Sequence, residues 1–209
     1  MAVTYNIDLQ NLLISGDRIV VELGCGPNKH PGRIGVDRIA LPGVDIVANI
    51  DDGLPFFPDS SVDEVHSESF FEHVNDLQEL VAEIARILKP TGFNSFFVPH
   101  FSNPYYYSDY THHTFFGLYT LRYFCSDANQ LKRKVPNFYS KTRIKIISQR
   151  LIFESSFSGV RALKKLFQRV VNFNSWTQEF YEENFCYLIP CYGMQITFIK
   201  DDSPVAPQI

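Results

Sequence analysis

The sequence has no apolar run approaching the roughly 18–20 residues that a membrane span requires, and none is read as one. It has no excess of positive charge: 19 Lys and Arg stand against 23 Asp and Glu, for a net charge of −4. A nucleic-acid binder usually shows a basic balance or stripe, so no nucleic-acid partner is expected. Cysteine is sparse and unpaired in pattern. Cys25, Cys125, Cys186 and Cys191 form no CxxC pair, and a chain this large needs no disulfide staples. They read as reduced thiols of a cytoplasmic protein. The first fifteen residues lack a basic segment and a long apolar one, so a signal peptide is not expected. No internal repeat or low-complexity tract interrupts the chain. No spacing of His, Cys, Asp and Glu resembles a zinc pattern, so no metal is assigned.

What remains is an ordinary globular composition, with 45% hydrophobic and 20% charged residues over 209 positions. That length suits one domain over residues 1–209, with a tail at 201–209 expected to fray. The unusual number is aromatic: Phe96 to Phe124 holds 12 of the 31 aromatic residues and three of the six histidines.

Short apolar runs at Arg18–Leu23, Arg33–Asp37, Val44–Ala48, Val62–His66 and Phe93–Val98 read as buried strands. Phe71–Leu88 reads as a helix, its apolar positions Leu77, Leu80, Val81, Ile84 and Ile87 recurring at three and four. Pro90 and Gly92 are expected to stop it. Strands alternating with crossovers indicate an α/β fold with a doubly wound, mostly parallel sheet. Thr142–Phe153 and Tyr192–Lys200 alternate as later strands, the last ending the fold antiparallel. Between them Val160–Phe173 reads as a basic amphipathic helix with a solvated face.

Glu22-Leu-Gly-Cys-Gly26 is a glycine turn closing the first strand. In a doubly wound fold that turn lies at the crevice where ligands bind. It departs from the dinucleotide fingerprint, because Lys29 occupies the third glycine position and the next acid, Asp37, comes only 13 residues after Gly24. Pro27–Gly32 leaves no room for a helix whose N-terminus would hold a pyrophosphate. A nucleoside without phosphates fits better, since a carboxylate ending the second strand can accept from both ribose hydroxyls.

Five blocks in order, Val21–Pro27, Gly35–Asp37, Leu54–Asp63, Glu72-His73 and Ile87–Gly92, resemble a class I S-adenosylmethionine-dependent methyltransferase of the type 11 group. The downstream Val98–His100 and Asp109–Phe116 resemble a bacterial subgroup with a shortened first helix. The resemblance implies a Rossmann-like fold and S-adenosyl-L-methionine as cofactor. It implies that Glu22, Gly24 and Gly26 border the methionine moiety, Asp37 binds the ribose, Asn49 and Ile50 recognise adenine, and Ser67 lines the methyl-donor side. Asn49 stands where an aspartate is more usual.

The aromatic segment leaves the fifth strand through its carboxyl end, on the ligand side of the sheet. An insertion at about 99–124 therefore faces the acceptor. Three adjacent tyrosines, Tyr105 to Tyr107, cannot all enter a core; Phe115 to Phe124 reads mostly as packing. Methyl transfer to a hydroxyl or protonated amine needs a proton acceptor, and histidine suits the role. His112 ranks first, as the residue aligned with the subgroup's histidine, then His100, with Asp109 orienting or acting itself. His73 reads as structural. The expected function is methyl transfer to oxygen or nitrogen of a small molecule or a glycan or secondary-metabolite intermediate. The alternative is a non-catalytic binding module that keeps the fold.

Overall fold

The computed structural model describes residues 3–201; the tail expected to fray lies outside the described residues from 202 onward. Eight strands form one sheet in the order β1-β4-β3-β2-β5-β6-β8-β7. They are β1 (Thr4–Tyr5), β2 (Val20–Leu23), β3 (Ile34–Asp37), β4 (Ile46–Val47), β5 (Val62–Glu68), β6 (Leu88–Pro99), β7 (Ile144–Ile152) and β8 (Gly193–Lys200). The centre is parallel: β2 pairs with β3 and β5, β3 with β4, and β5 with β6. β8 lies antiparallel between β6 and β7, as expected of the C-terminal strand, and β1 runs antiparallel to β4.

The crossovers are thinner than a doubly wound sheet usually carries. Between β2 and β3 there is only a 3-10 turn at Gly26–Asn28, and between β4 and β5 another at Ile50–Asp52. Strand chemistry matches this. Val21, Leu23, Val36, Val65, Phe96 and Phe198 are wholly buried on one face. Their alternates Glu64, His66, Ser95, Gln195 and Thr197 are polar and half-buried. Sheets buried on both faces read as continuous apolar runs; this alternation is that of a sheet with one polar face.

The helix expected over Phe71–Leu88 is two elements, a 3-10 turn at Phe71–His73 and α2 (Leu77–Ile87), after α1 (Leu9–Ser15). Asp76 separates them. Its backbone is extended and its side chain accepts from the N–H groups of Gln78 and Glu79, the hydrogen bonds of an N-cap. Leu88 already belongs to β6, so Pro90 and Gly92 sit in a strand rather than a loop. The β5–β6 register shifts between Val62 and Glu64, and proline is tolerated at such an irregularity.

The basic helix is α3 (Ser158–Val171), and α4 (Ser175–Asn184) follows it. On α3, Arg161, Lys165 and Arg169 are exposed, and so are Leu163, Leu166 and Val170. α4 clamps the insertion. Glu179 accepts from the Tyr119 hydroxyl at 2.8 Å and from the Arg133 N–H at 3.1 Å. Glu182 accepts from the Leu118 N–H at 2.8 Å. Of the segment expected to be packing, Phe116, Leu118, Leu121 and Phe124 are buried, while Phe115 and Tyr123 are exposed.

Candidate active site

The carboxyl ends of β2, β3 and β4 open into a cavity of about 250 Å³ whose lining includes Gly24, Asp37, Asn49, Ile50 and Phe70. Gly24 has φ +64°, and a Cβ there would lie 2.5 Å from the Phe70 ring. Only glycine meets both demands. Asp37 shapes the turn: its Oδ2 accepts from Gly26 N–H at 2.9 Å and its Oδ1 from Ile39 N–H at 3.0 Å. Each oxygen retains a second lone pair, so the carboxylate can still receive a diol. Asn49 caps the Ile50–Asp52 turn through its side-chain oxygen, by a long contact of 3.4 Å to Asp51 N–H. A nucleoside fits this cradle: glycine backbone at the bottom, a carboxylate at the second strand, and an amide at the third.

Two residues expected in that cradle lie outside its lining. Glu22 alternates with Val21 and Leu23, which enter the core, so its carboxylate goes to the polar face. There it accepts from His30 N–H at 3.0 Å and meets Arg33 at 3.4 Å. Ser67 is buried and its hydroxyl has no partner. Gly26 acts through its N–H on Asp37 rather than by lining the cavity.

A second cavity, of about 190 Å³, abuts the first and shares Ser69 and His73 with it. Glu72, Tyr105, Tyr106, Asp109, His112 and Tyr192 contribute walls. The insertion is drawn here by its backbone, since the N–H groups of His113 and Thr114 donate to the Glu72 carbonyl at 2.7 and 3.1 Å. His112 thereby meets His73, with ring centroids 4.8 Å apart.

Hydrogen bonds fix both tautomers. The His112 Nδ1 faces the Tyr106 carbonyl at 3.0 Å; a carbonyl only accepts, so Nδ1 carries the proton. The Thr111 hydroxyl donates to the Asp109 carboxylate at 2.6 Å. Its oxygen and the Thr111 carbonyl then receive His73 Nδ1–H, at 2.9 and 3.2 Å. Both Nε2 atoms are left with lone pairs. Beside them Glu72 is fully buried, and neither carboxylate oxygen has a hydrogen-bond partner. Burial pushes its carboxyl up to about 7 and holds the His73 imidazole below its usual value. The buried Tyr106 hydroxyl is also unpartnered. Asp109 is on the rim, its Oδ2 3.6 Å from His112 Nε2. Its carboxyl is held low first by the Thr111 hydroxyl.

His100 is not part of this group. It is fully buried and lines neither cavity. Ser102 N–H donates to its Nδ1 at 3.1 Å, so Nε2 carries the proton and gives it to Glu182 at 3.0 Å. This is a satisfied core histidine linking the fifth parallel strand's exit to α4. Tyr105 and Tyr106 line the second cavity, within the insertion expected to face the acceptor, whereas Glu72 and Tyr192 were not expected there and His73 was expected to be structural; the one available signal was the Glu-His pair inside a matching block.

Two adjoining cavities thus open at the strand ends, sharing Ser69 and His73. Residues 30–96, roughly a third of the chain, match the type 11 family model described as a methyltransferase domain. The match begins after the glycine turn, so Gly24 and Gly26 rest on geometry. No curated protein matches the sequence significantly. Among solved structures, a SAM-dependent methyltransferase from Archaeoglobus fulgidus is similar, with TM-score 0.50, 18% identity, and 92% of this chain and 90% of that one covered. Phosphoethanolamine N-methyltransferase 2 of Haemonchus contortus gives 0.51 at 13% identity, covering 95% of this chain and 54% of its own. Geranyl diphosphate C-methyltransferase of Streptomyces coelicolor A3(2) gives 0.51 at 16% identity, covering 88% of this chain and 74% of that one. The family match covers under half of the chain, and at these identities the solved structures show its fold, that of Rossmann-like SAM-dependent methyltransferases. No helix among the described residues is long and apolar enough to cross a membrane.

Proposed function

We propose that the chain is an S-adenosylmethionine-dependent methyltransferase of the type 11 group that transfers a methyl group to oxygen or nitrogen of a small molecule or of a glycan or secondary-metabolite intermediate. The observation that carries the reading is the junction of the two cavities at Ser69 and His73. An acceptor between Tyr105, Tyr106 and Tyr192 would lie directly beside the donor. Alignment and exclusion of water supply much of what a displacement at an already activated methyl carbon requires.

In this reading Gly24 borders the methionine moiety, Asp37 holds the ribose hydroxyls, and Asn49 and Ile50 face adenine. Activation of the acceptor falls to His112 with Asp109, at the corner where a free Nε2 lone pair faces the second cavity; His100 is withdrawn from that role. The chain acts as one domain over 1–209, with 99–124 as its acceptor-facing insertion. Four free, buried thiols support a cytoplasmic setting. The fold does not choose the acceptor: its two neighbours at TM-score 0.51 are named for nitrogen and carbon methylation.

Calorimetry with S-adenosylhomocysteine tests the cofactor half. Binding is expected in the wild type, and Asp37→Ala should weaken it at least about tenfold, or ~1.4 kcal/mol. No heat with wild type would remove the reading. Once an acceptor is found by homocysteine release, His112→Ala should lower turnover and leave cofactor affinity in place.

A further inference from the structure

Glu72, His73 and His112 each present one metal-ligating atom, and these atoms lie within 4.8 Å of one another. Their protonation makes the cluster unusual. His73 and His112 both carry their proton on Nδ1, committed to Thr111 and to the Tyr106 carbonyl. Glu72 has no donor on either oxygen although it is wholly buried. One ligating atom from each of two imidazoles and a carboxyl group thus converge, and no hydrogen bond ties either Glu72 oxygen. A buried group left in this way is costly, and a cation removes the cost.

We propose that Glu72, His73 and His112 bind a divalent transition-metal ion between the two cavities, where it takes an acceptor through oxygen. Two imidazoles and one carboxylate form a donor set that such ions accept with coordination positions left open. The Nδ1–H bonds to backbone carbonyls are the outer contacts that orient metal-binding histidines. Ligand atoms around such an ion stand roughly 3.4 Å apart. The contraction required falls on Glu72, whose carboxylate is tied by no hydrogen bond. Asp109 at the rim adds negative charge.

The site deepens the methyl-transfer reading by selecting a hydroxyl or carboxylate oxygen as acceptor. A hydroxyl bound to the ion loses its proton to water near neutral pH. The oxygen lone pair then forms the bond to the methyl carbon as the carbon–sulfur bond breaks, leaving S-adenosylhomocysteine. His112 contributes to activation here by holding the ion, not by accepting the proton.

The test needs neither cofactor nor acceptor, so its failure leaves the methyl-transfer reading standing. The full chain, freed of metal with a chelator, is titrated with Co²⁺ and followed by its visible ligand-field absorption. One Co²⁺ per chain is expected, displaced by Zn²⁺. Glu72→Gln and His112→Gln should each weaken binding about ten- to hundredfold, with folding checked by far-ultraviolet circular dichroism and melting temperature. If either variant fails to fold, the wild-type titration decides alone. Absence of a ligand-field band in wild type overturns the site, as does unchanged affinity in both folded variants. A rise in melting temperature with ethylammonium chloride but not with Co²⁺ also overturns it, by assigning the cluster to an amine.

Discussion

Gly24 is the residue on which the first cavity most plainly depends. Its left-handed backbone would strain any side chain, and its missing Cβ is the space against Phe70. Gly24→Ala is therefore expected to reduce S-adenosylhomocysteine affinity at least about tenfold while the far-ultraviolet circular dichroism stays that of the wild type. An unchanged dissociation constant would mean that the ligand lies elsewhere. Gly24 and Asp37 were legible in the sequence because each does one thing that only its residue type can do at the end of a strand. Glu22 was not. The same short block carries it, but strand alternation sends its side chain through the sheet. His100 misled for a related reason: an aromatic-rich loop advertises a site, and only burial and the Ser102 and Glu182 contacts show that this histidine is spent on packing.

The elements were readable where periodicity was long and failed where a single side chain decides. Apolar spacing locates α2 but not its start, because Asp76 caps it and cuts off Phe71–His73. That cut matters, since it leaves Glu72 and His73 facing the cavities rather than continuing a helix. α4 was missed because its apolar positions are few; its inward side is built from Gln178, Glu179 and Tyr181. α2 also anchors the loop before β5. Glu83 binds Arg86 through both oxygens, at 2.7 and 2.8 Å, and accepts from Leu54 N–H at 2.8 Å. Arg86 in turn donates to the Leu54 and Phe57 carbonyls. The Arg86 hydrogen bonds hold the Glu83 carboxyl below its ordinary value of 4.5. A lowered carboxyl contributes stability that is present above 4.5 and is lost as pH falls through the folded-state value. Glu83→Gln should thus be less stable at neutral pH by ~1–3 kcal/mol, with the difference shrinking as the solution is acidified below 4.5. Melting curves of both proteins across that range would refute this if they stayed parallel.

For the whole molecule, strands alternating with crossovers point to a mostly parallel sheet, so the fold class was within reach of the sequence while the strand order was not. The thinning of the helical layer was visible only in part, as the short gap between Gly26 and Asp37. A cofactor bound at the strand ends should stabilise the native chain as a unit. At ~100 times the dissociation constant a ligand adds ~2.7 kcal/mol, which for a chain of this size corresponds to a rise of ~5–10 °C in melting temperature. A scan with S-adenosylhomocysteine that shows no rise at that concentration would argue against binding to the folded state.

The polar sheet face has a colloidal consequence. A sheet side not capped by apolar packing is a natural surface for stacking against another sheet, and a crowded solution offers many copies. Here the half-buried polar face carries charge and hydroxyls: Arg18 pairs with Glu64, Glu64 with His66, and Ser95 with Thr197. These side chains contribute little to the core. They keep the sheet wetted, and so make solubility, rather than rigidity, the property that the thinned helical layer leaves to the strands.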